Sequence, residues 1–133
     1  MLLLWHTNTS MSERLVIIPT YNEIENIAAI IKAVFELTTD FDILIVDDNS
    51  PDGTSNEVIQ LQKTYPDRLF LEIRKEKSGL GTAYIHGFKW AMARKYDYIF
   101  EMDADFSHDP TDLPRLYRAC INGADVSVGS RYK

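Results

Sequence analysis

Hydrophobic and polar positions alternate along the chain in two rhythms. Leu15-Val16-Ile17-Ile18 is a short unbroken apolar run, the pattern of a strand covered on both faces. Ile24, Ile27, Ala28, Ile31, Val34 and Phe35 then recur at spacings of three and four, which puts them on one helix face. Asn22 predicts the N-cap of that helix, with Glu25 behind it in capping-box register. The sequence repeats the alternation. Ile43-Leu44-Ile45-Val46 predicts a second buried strand, and Asn49-Ser50-Pro51-Asp52-Gly53 has turn chemistry. Thr54 with Glu57 predicts the cap of a second helix carrying Val58, Leu61 and Tyr65, ended by Pro66. Leu69 to Ile73 reads as a third, less buried strand. Gly79-Leu80-Gly81 leads into a third helix through Tyr84, Ile85, Phe88, Ala91 and Met92, in which Gly87 marks tight packing. Tyr98 to Met102 is a fourth strand, about Asp112 to Asn122 a fourth helix, and Val126-Ser127-Val128 a fifth strand.

Strands separated by helices imply right-handed crossovers and a mostly parallel sheet. The predicted fold class is α/β, a Rossmann-like three-layer sandwich. It is expected as one domain over residues 15–133, with 1–14 poorly ordered. Met11 is a candidate natural start, which would make the first ten residues a leader without structural weight.

Composition narrows the function classes. The chain has 133 residues, 45% hydrophobic and 26% charged, an ordinary globular mix able to bury roughly two thirds of its unfolded surface. Its net charge of -6 argues against a nucleic-acid partner, which calls for a basic face. The lone Cys120 excludes an intrachain disulfide and reads as a core-facing helix position. That fits a reducing, cytosolic setting. Leu2 to Trp5 is too short for a membrane span or a signal core, and no run of eighteen apolar residues occurs.

In an open parallel sheet, ligands bind beyond the carboxyl ends of the strands. Pro19 to Glu23 follow the first strand, Asp47-Asp48 the second, Asp103-Ala104-Asp105 the fourth, and Ser130-Arg131 the fifth. Four aspartates on adjacent loops of one rim would repel one another without a cation. In extended backbone Asp103 and Asp105 point the same way, so both could face one divalent ion and a diphosphate. The bland alternative is that they cap the following turn. Asp47-Asp48 reads either as a turn-former or as an acceptor for nucleobase and ribose groups. Tyr21 reads as a stacking platform or as loop packing, and Arg131 as a phosphate contact or a free surface residue. His86 and His108 read as ordinary helix and loop residues, although His108 is near the carboxylates. Gly79-x-Gly81 lacks the third glycine and the strand position of a dinucleotide fingerprint.

The segments VIIPTYNEIENI, ILIVDDNSPDGT, KSGLGTAYIHGF, EMDADFSHDP and ADVSVGSRY, in this order from Leu15 to Tyr132, resemble the family-2 inverting glycosyltransferases of GT-A fold. SPDGT and MDADFSHDP are most similar to the dolichol- and polyprenol-phosphate mannosyltransferases. Ala83-Tyr84-Ile85, where many wider-family members carry Ala-Arg-Asn, favours the same subgroup. The resemblance implies that Pro19, Tyr21 and Glu23 line a nucleotide pocket and that Val46 and Asp48 grip base or ribose. It implies that Asp103, Ala104 and Asp105 hold nucleotide and Mg2+ or Mn2+, with Ser107 near the metal and Arg131 at phosphate. Asp105 and Arg131 would serve catalysis. The implied donor is GDP-mannose, and the implied acceptor is a dolichyl or polyprenyl phosphate. The full-length protein would associate peripherally with the cytoplasmic face of a membrane. The family's catalytic domain continues well past Arg131, so the chain is expected to be a truncated nucleotide-binding part without transferase activity of its own.

Other readings stand beside this one: a family-2 transferase of another sugar such as glucose, a non-catalytic nucleotide-binding module, and a phosphoacceptor receiver domain. The last places its acidic residues after the first and third strands. Here they follow the second and fourth.

Overall fold

The structure, a computed structural model, describes residues 2–3, 13–75, 79–123 and 127–128. In chain order the elements are β1 (Leu2–Leu3), β2 (Arg14–Thr20), α1 (Ile27–Phe35), β3 (Asp42–Asp47), α2 (Thr54–Gln62), β4 (Leu69–Ile73), α3 (Leu80–Ala93), β5 (Tyr98–Glu101), a 3-10 turn at Pro110–Asp112, α4 (Leu113–Ile121) and β6 (Ser127–Val128). They form one sheet in the order β4-β3-β2-β5-β1-β6. Strands β4, β3, β2 and β5 run parallel, and β1 runs antiparallel to β5 and β6. The α/β class with a mostly parallel sheet is therefore as the apolar runs predicted.

Those runs lack a polar face because the strands are covered on both sides. Val16, Ile18, Ile43, Ile45 and Phe100 pack against Ile27, Ile30, Ile31 and Val34 of α1, Val58 of α2, and Leu113, Leu116 and Cys120 of α4. The alternate residues Leu15, Ile17, Leu44, Val46 and Ile99 pack on the other face with Ala83 and Ala91 of α3. This period of two gives three layers. The α3 helix lies so close that a Cβ placed on Gly87 would sit 2.6 Å from Ile17 Cγ2, the tight packing expected there. Cys120 faces the core as anticipated, and β4 is the less buried strand.

Three local expectations are corrected. First, α1 begins at Ile27 with Asn26 at its N-cap, not at Asn22. Asn22 takes a left-handed φ of 56°, and the amides of Asn22, Glu23 and Ile24 are bound by side chains of residues 50–54 instead. Second, Gly53, at φ 93°, precedes α2 as its N-cap. Thr54 is inside the helix, and its amide is capped by Asp52 Oδ1 at 3.0 Å. Gly53 suits that place because it has no Cβ to oppose positive φ. Third, the N-terminus is not without structural weight: Leu2 pairs with Glu101 and Val128, and Leu3 with Phe100 and Ser127. Among the described residues no helix is long and apolar enough to cross a membrane.

Candidate functional site

Parallel register brings the strand ends together. Thr20 is level with Asp47, and Asp47 with Ile73. Strand β5 ends level with Ile17, whose carbonyl accepts from the amide of Met102 at 3.0 Å. Residues 103–105 therefore leave the sheet beside Pro19 to Tyr21. At this edge lies a cavity of about 320 Å³. It is lined by Pro19 and Thr20 at the end of β2, Tyr21 and Glu23 after it, Asp48 after β3, Gly79, Leu80 and Ala83 at the start of α3, and Asp103, Ala104 and Asp105 after β5. A volume of this order suits a small-molecule ligand.

Residues from three separate loops, named from sequence, thus share one cavity. Tyr21 is 37% exposed, as a stacking platform must be, and Ala104 is buried in the wall. Val46, which the resemblance implies grips base or ribose together with Asp48, does not itself line the cavity. It is 0% exposed and belongs to the core beneath α3. Alternation along β3 explains this, because Val46 shares the α3-facing side of the strand with Leu44. Arg131 and Ser130 lie outside the described residues. His86 contacts Glu72 at 3.1 Å, His108 is buried, and neither lines the cavity.

The expected mutual repulsion of four aspartates is corrected in part, because the protein itself satisfies two of them. Asp47 is fully buried and builds the loop: its Oδ1 accepts from the hydroxyls of Thr20 at 2.6 Å and Ser50 at 2.7 Å, and its Oδ2 from the Ser50 amide at 2.9 Å. The turn-forming reading holds for this residue. Asp48 accepts a bidentate pair from Arg74, Nε to Oδ1 at 2.6 Å and Nη2 to Oδ2 at 2.8 Å. Arg74 also donates to Thr82 Oγ1 at 3.0 Å and to the Gly79 carbonyl at 3.2 Å, tying β4's exit to the start of α3. Sequence reasoning missed Arg74. Its signal was available, since it is the first residue after the third apolar run, the one strand exit left unread.

Asp103 and Asp105 are held by hydroxyl and amide donors. Tyr84 donates its hydroxyl to Asp103 Oδ1 at 2.8 Å and Ser107 its hydroxyl to Oδ2 at 3.4 Å, while the Ser107 amide donates to Asp105 Oδ1 at 2.9 Å. The turn-capping alternative is thus realised by Asp105, without removing it from the cavity. The strand has already ended at Glu101, so these side chains share the cavity through a turn rather than through extended backbone. Burial lifts the Glu101 carboxyl above its ordinary value, and the charge of Asp103 lifts it further. Asp52 shows the opposite balance. Burial raises it, but hydrogen bonds from the Thr54 hydroxyl and the amides of Ile24 and Thr54 favour the carboxylate and hold it below its usual value.

The donor set can be tested against a divalent cation. Among the described residues, the formally charged side chains lining the cavity are all acidic: Glu23, Asp48, Asp103 and Asp105. No group of three His, Cys, Asp or Glu among the described residues forms a complete metal cage. Two carboxylates on one wall fit Mg2+ or Mn2+ in the form that uses one or two protein oxygens plus substrate phosphates.

Comparison with known proteins agrees with this architecture. The chain is 49% identical over 118 residues to polyprenol monophosphomannose synthase of Mycolicibacterium smegmatis, covering 89% of this chain and 44% of that protein. It is 46% identical to undecaprenyl-phosphate mannosyltransferase of Micrococcus luteus, covering 88% and 47%. It is 40% identical to dolichol-phosphate mannosyltransferase of Pyrococcus furiosus, covering 88% and 32%. The chain therefore spans less than half the length of these curated relatives. Among solved structures, a mannosyltransferase of Pyrobaculum calidifontis in complex with GDP-Man and Mn2+ superposes with a TM-score of 0.61 at 27% identity, over 76% of this chain and 30% of that one. S. aureus TarS 1-349 shares the fold, with a TM-score of 0.62 at 23% identity over 83% of this chain and 32% of that one. Residues 15–133 match the family described as Glycosyl transferase family 2, and with a parallel sheet and an acidic cavity at its carboxyl edge, this chain belongs to that family.

Proposed function

We propose that the chain is the nucleotide-sugar-binding part of a transferase that moves mannose from GDP-mannose to a polyprenyl or dolichyl phosphate. The observation that carries this reading is the convergence of Tyr21, Asp48, Asp103 and Asp105 on one cavity. The names of the curated relatives support polyprenyl phosphate as acceptor and mannose as sugar, and the Pyrobaculum complex supports GDP as the nucleotide.

The roles follow from placement. Tyr21 offers a face for the base. Asp48 accepts donors of base or ribose, held in place by Arg74. Ala104, without a long side chain, lets the diphosphate approach the wall. Asp103 and Asp105 would hold Mg2+ or Mn2+, with Ser107 fixing both carboxylates. A bound cation there supplies charge neutralisation of the leaving nucleoside diphosphate. The acceptor phosphate is already anionic and needs little help from a base. Its attack opposite the leaving group inverts the anomeric carbon, and alignment of donor and acceptor is the protein's remaining task. Arg131 is assigned to phosphate. Catalysis at the cytoplasmic face of a membrane is part of the same proposal.

Calorimetry with GDP, GDP-mannose, UDP and UDP-glucose, with and without Mn2+, tests the reading. Binding is expected to favour the GDP ligands and to strengthen with metal. Preference for UDP-glucose would replace the proposed donor, and absence of binding to any of these ligands would remove the function.

A further inference from the structure

The segment SPDGT has no place in the chemistry above, and only Asp48, just before it, lines the cavity. Its side chains nevertheless make an ordered set of bonds to the strand-β2 exit. Ser50 donates its hydroxyl to Asp47 Oδ1 at 2.7 Å and accepts from the amide of Asn22 at 2.9 Å. Thr54 donates its hydroxyl to Asp52 Oδ1 and accepts from the amide of Glu23 at 3.1 Å. Asp52 Oδ2 accepts from the amide of Ile24 at 3.1 Å. Three consecutive amides are each taken by a side chain 28 or 31 residues away. Each hydroxyl is a relay, donating its one proton to a carboxylate while accepting from an amide.

We infer that Ser50, Asp52 and Thr54 are positioning residues for nucleotide binding. They hold the backbone of residues 22–24 so that Tyr21 and Glu23 line the cavity. The inference rests on reading that cavity as the nucleotide-sugar site.

Asn22 shows why the clasp is needed. Its left-handed φ of 56° is uncommon for side-chain-bearing residues, although Asn adopts it more readily than most, and the bonds to the amides of residues 22–24 hold the segment there. The same amides would otherwise be drawn into the start of α1, as Asn22 and Glu25 alone would predict. In that arrangement the β2 exit would continue as helix. With the clasp, helix formation is deferred to Ile27, and Tyr21 and Glu23 remain on the non-helical exit that lines the cavity. Thr54 is fully buried, so its hydroxyl acts on the site without meeting a ligand in the cavity.

The test measures GDP binding in Mn2+ by calorimetry, thermal unfolding, and amide hydrogen exchange at residues 22–24, for Thr54→Val, Thr54→Ser and Ser50→Ala. Thr54→Val and Ser50→Ala should each weaken GDP binding by about tenfold, because ordering the segment becomes a cost of binding. Exchange should quicken at Glu23 in the first and at Asn22 in the second, in proteins still folded at the assay temperature. Thr54→Ser keeps the hydroxyl and should restore both affinity and protection. Ser50→Ala, at a half-buried position, carries the same prediction if Thr54→Val does not fold. Quickened exchange with unchanged GDP affinity would overturn the inference, as would affinity that falls only in step with the unfolded fraction. A wild-type chain that binds neither GDP nor UDP removes the site reading and this role with it. That result is distinct from a wild type that binds while its variants bind equally well.

Discussion

The acidic exits of β3 and β5 face one cavity but are built differently. Asp47 and Asp48 are both buried, and their partners are internal: hydroxyls of Thr20 and Ser50 for the first, the Arg74 guanidinium for the second. Asp103 is half-buried and Asp105 exposed, held by the Tyr84 hydroxyl and by Ser107. Burying a carboxylate calls for compensation within the protein. An exposed one retains water and can exchange it for an external cation. The difference teaches that the β3 exit is fixed by the protein's own donors, with Asp48 held at the cavity wall, while the β5 exit can engage a cation that enters it. It also explains how four aspartates occupy one edge of a folded domain.

The sharpest break in that comparison should come from Arg74→Ala. It leaves Asp48 buried without its guanidinium, at a cost of about 3 kcal/mol or more in unfolding free energy. Denaturant unfolding of the two proteins measures it, and a loss under about 1 kcal/mol, the scale of exposed pairs, would show that Asp48 is not compensated as described. Asp105→Asn should behave oppositely. Its stability should stay within about 0.5 kcal/mol of wild type, as for a surface substitution. Mn2+-dependent binding of GDP-mannose should fall by about 100-fold, the scale reached when metal sites lose a supporting group. An undiminished metal response in calorimetry would move the cation elsewhere.

Gly87→Ala separates stability from the site. Its Cβ would press on Ile17 in the sheet, so a loss of about 1–3 kcal/mol is expected by calorimetric melting. The metal response of nucleotide binding should be unchanged, since both exits lie elsewhere. The smallest effect concerns pH. The folded-state pKa of Asp52 is depressed, so its contribution is present above its ordinary value of 3.8 and is lost as pH falls through the lower folded value. Wild type should therefore lose stability in that acid window, whereas Asp52→Asn should lack that part of the decline. Parallel curves for the two proteins would show that Asp52 gains nothing from its bonds.

Much of this was legible in the residue pattern. Leu15 to Ile18 and Ile43 to Val46 announced strands covered on both faces, because burial on two sides leaves no polar alternation. From the strand ends it followed which loops would meet. Long-range bonds were harder to read. Asn22 looked like a helix cap, and nothing near it reveals that its amide belongs to Ser50. Arg74 finds Asp48 at a separation of 26 residues, a pairing set by strand order rather than by local spacing. Leu2 and Leu3 are too few to show a period, yet they pair with two strands. Val46 has its side chain in the core beneath the pocket, while Asp48, two residues on, lines it.

The central claim is that Asp103 and Asp105 form a cation site completed only by the diphosphate of the ligand. Electron paramagnetic resonance of Mn2+ tests it directly by titrating the wild-type chain with and without GDP-mannose. The account predicts weak retention of Mn2+ by the protein alone and strong retention once the nucleotide sugar is present. Equal retention in both titrations would contradict it.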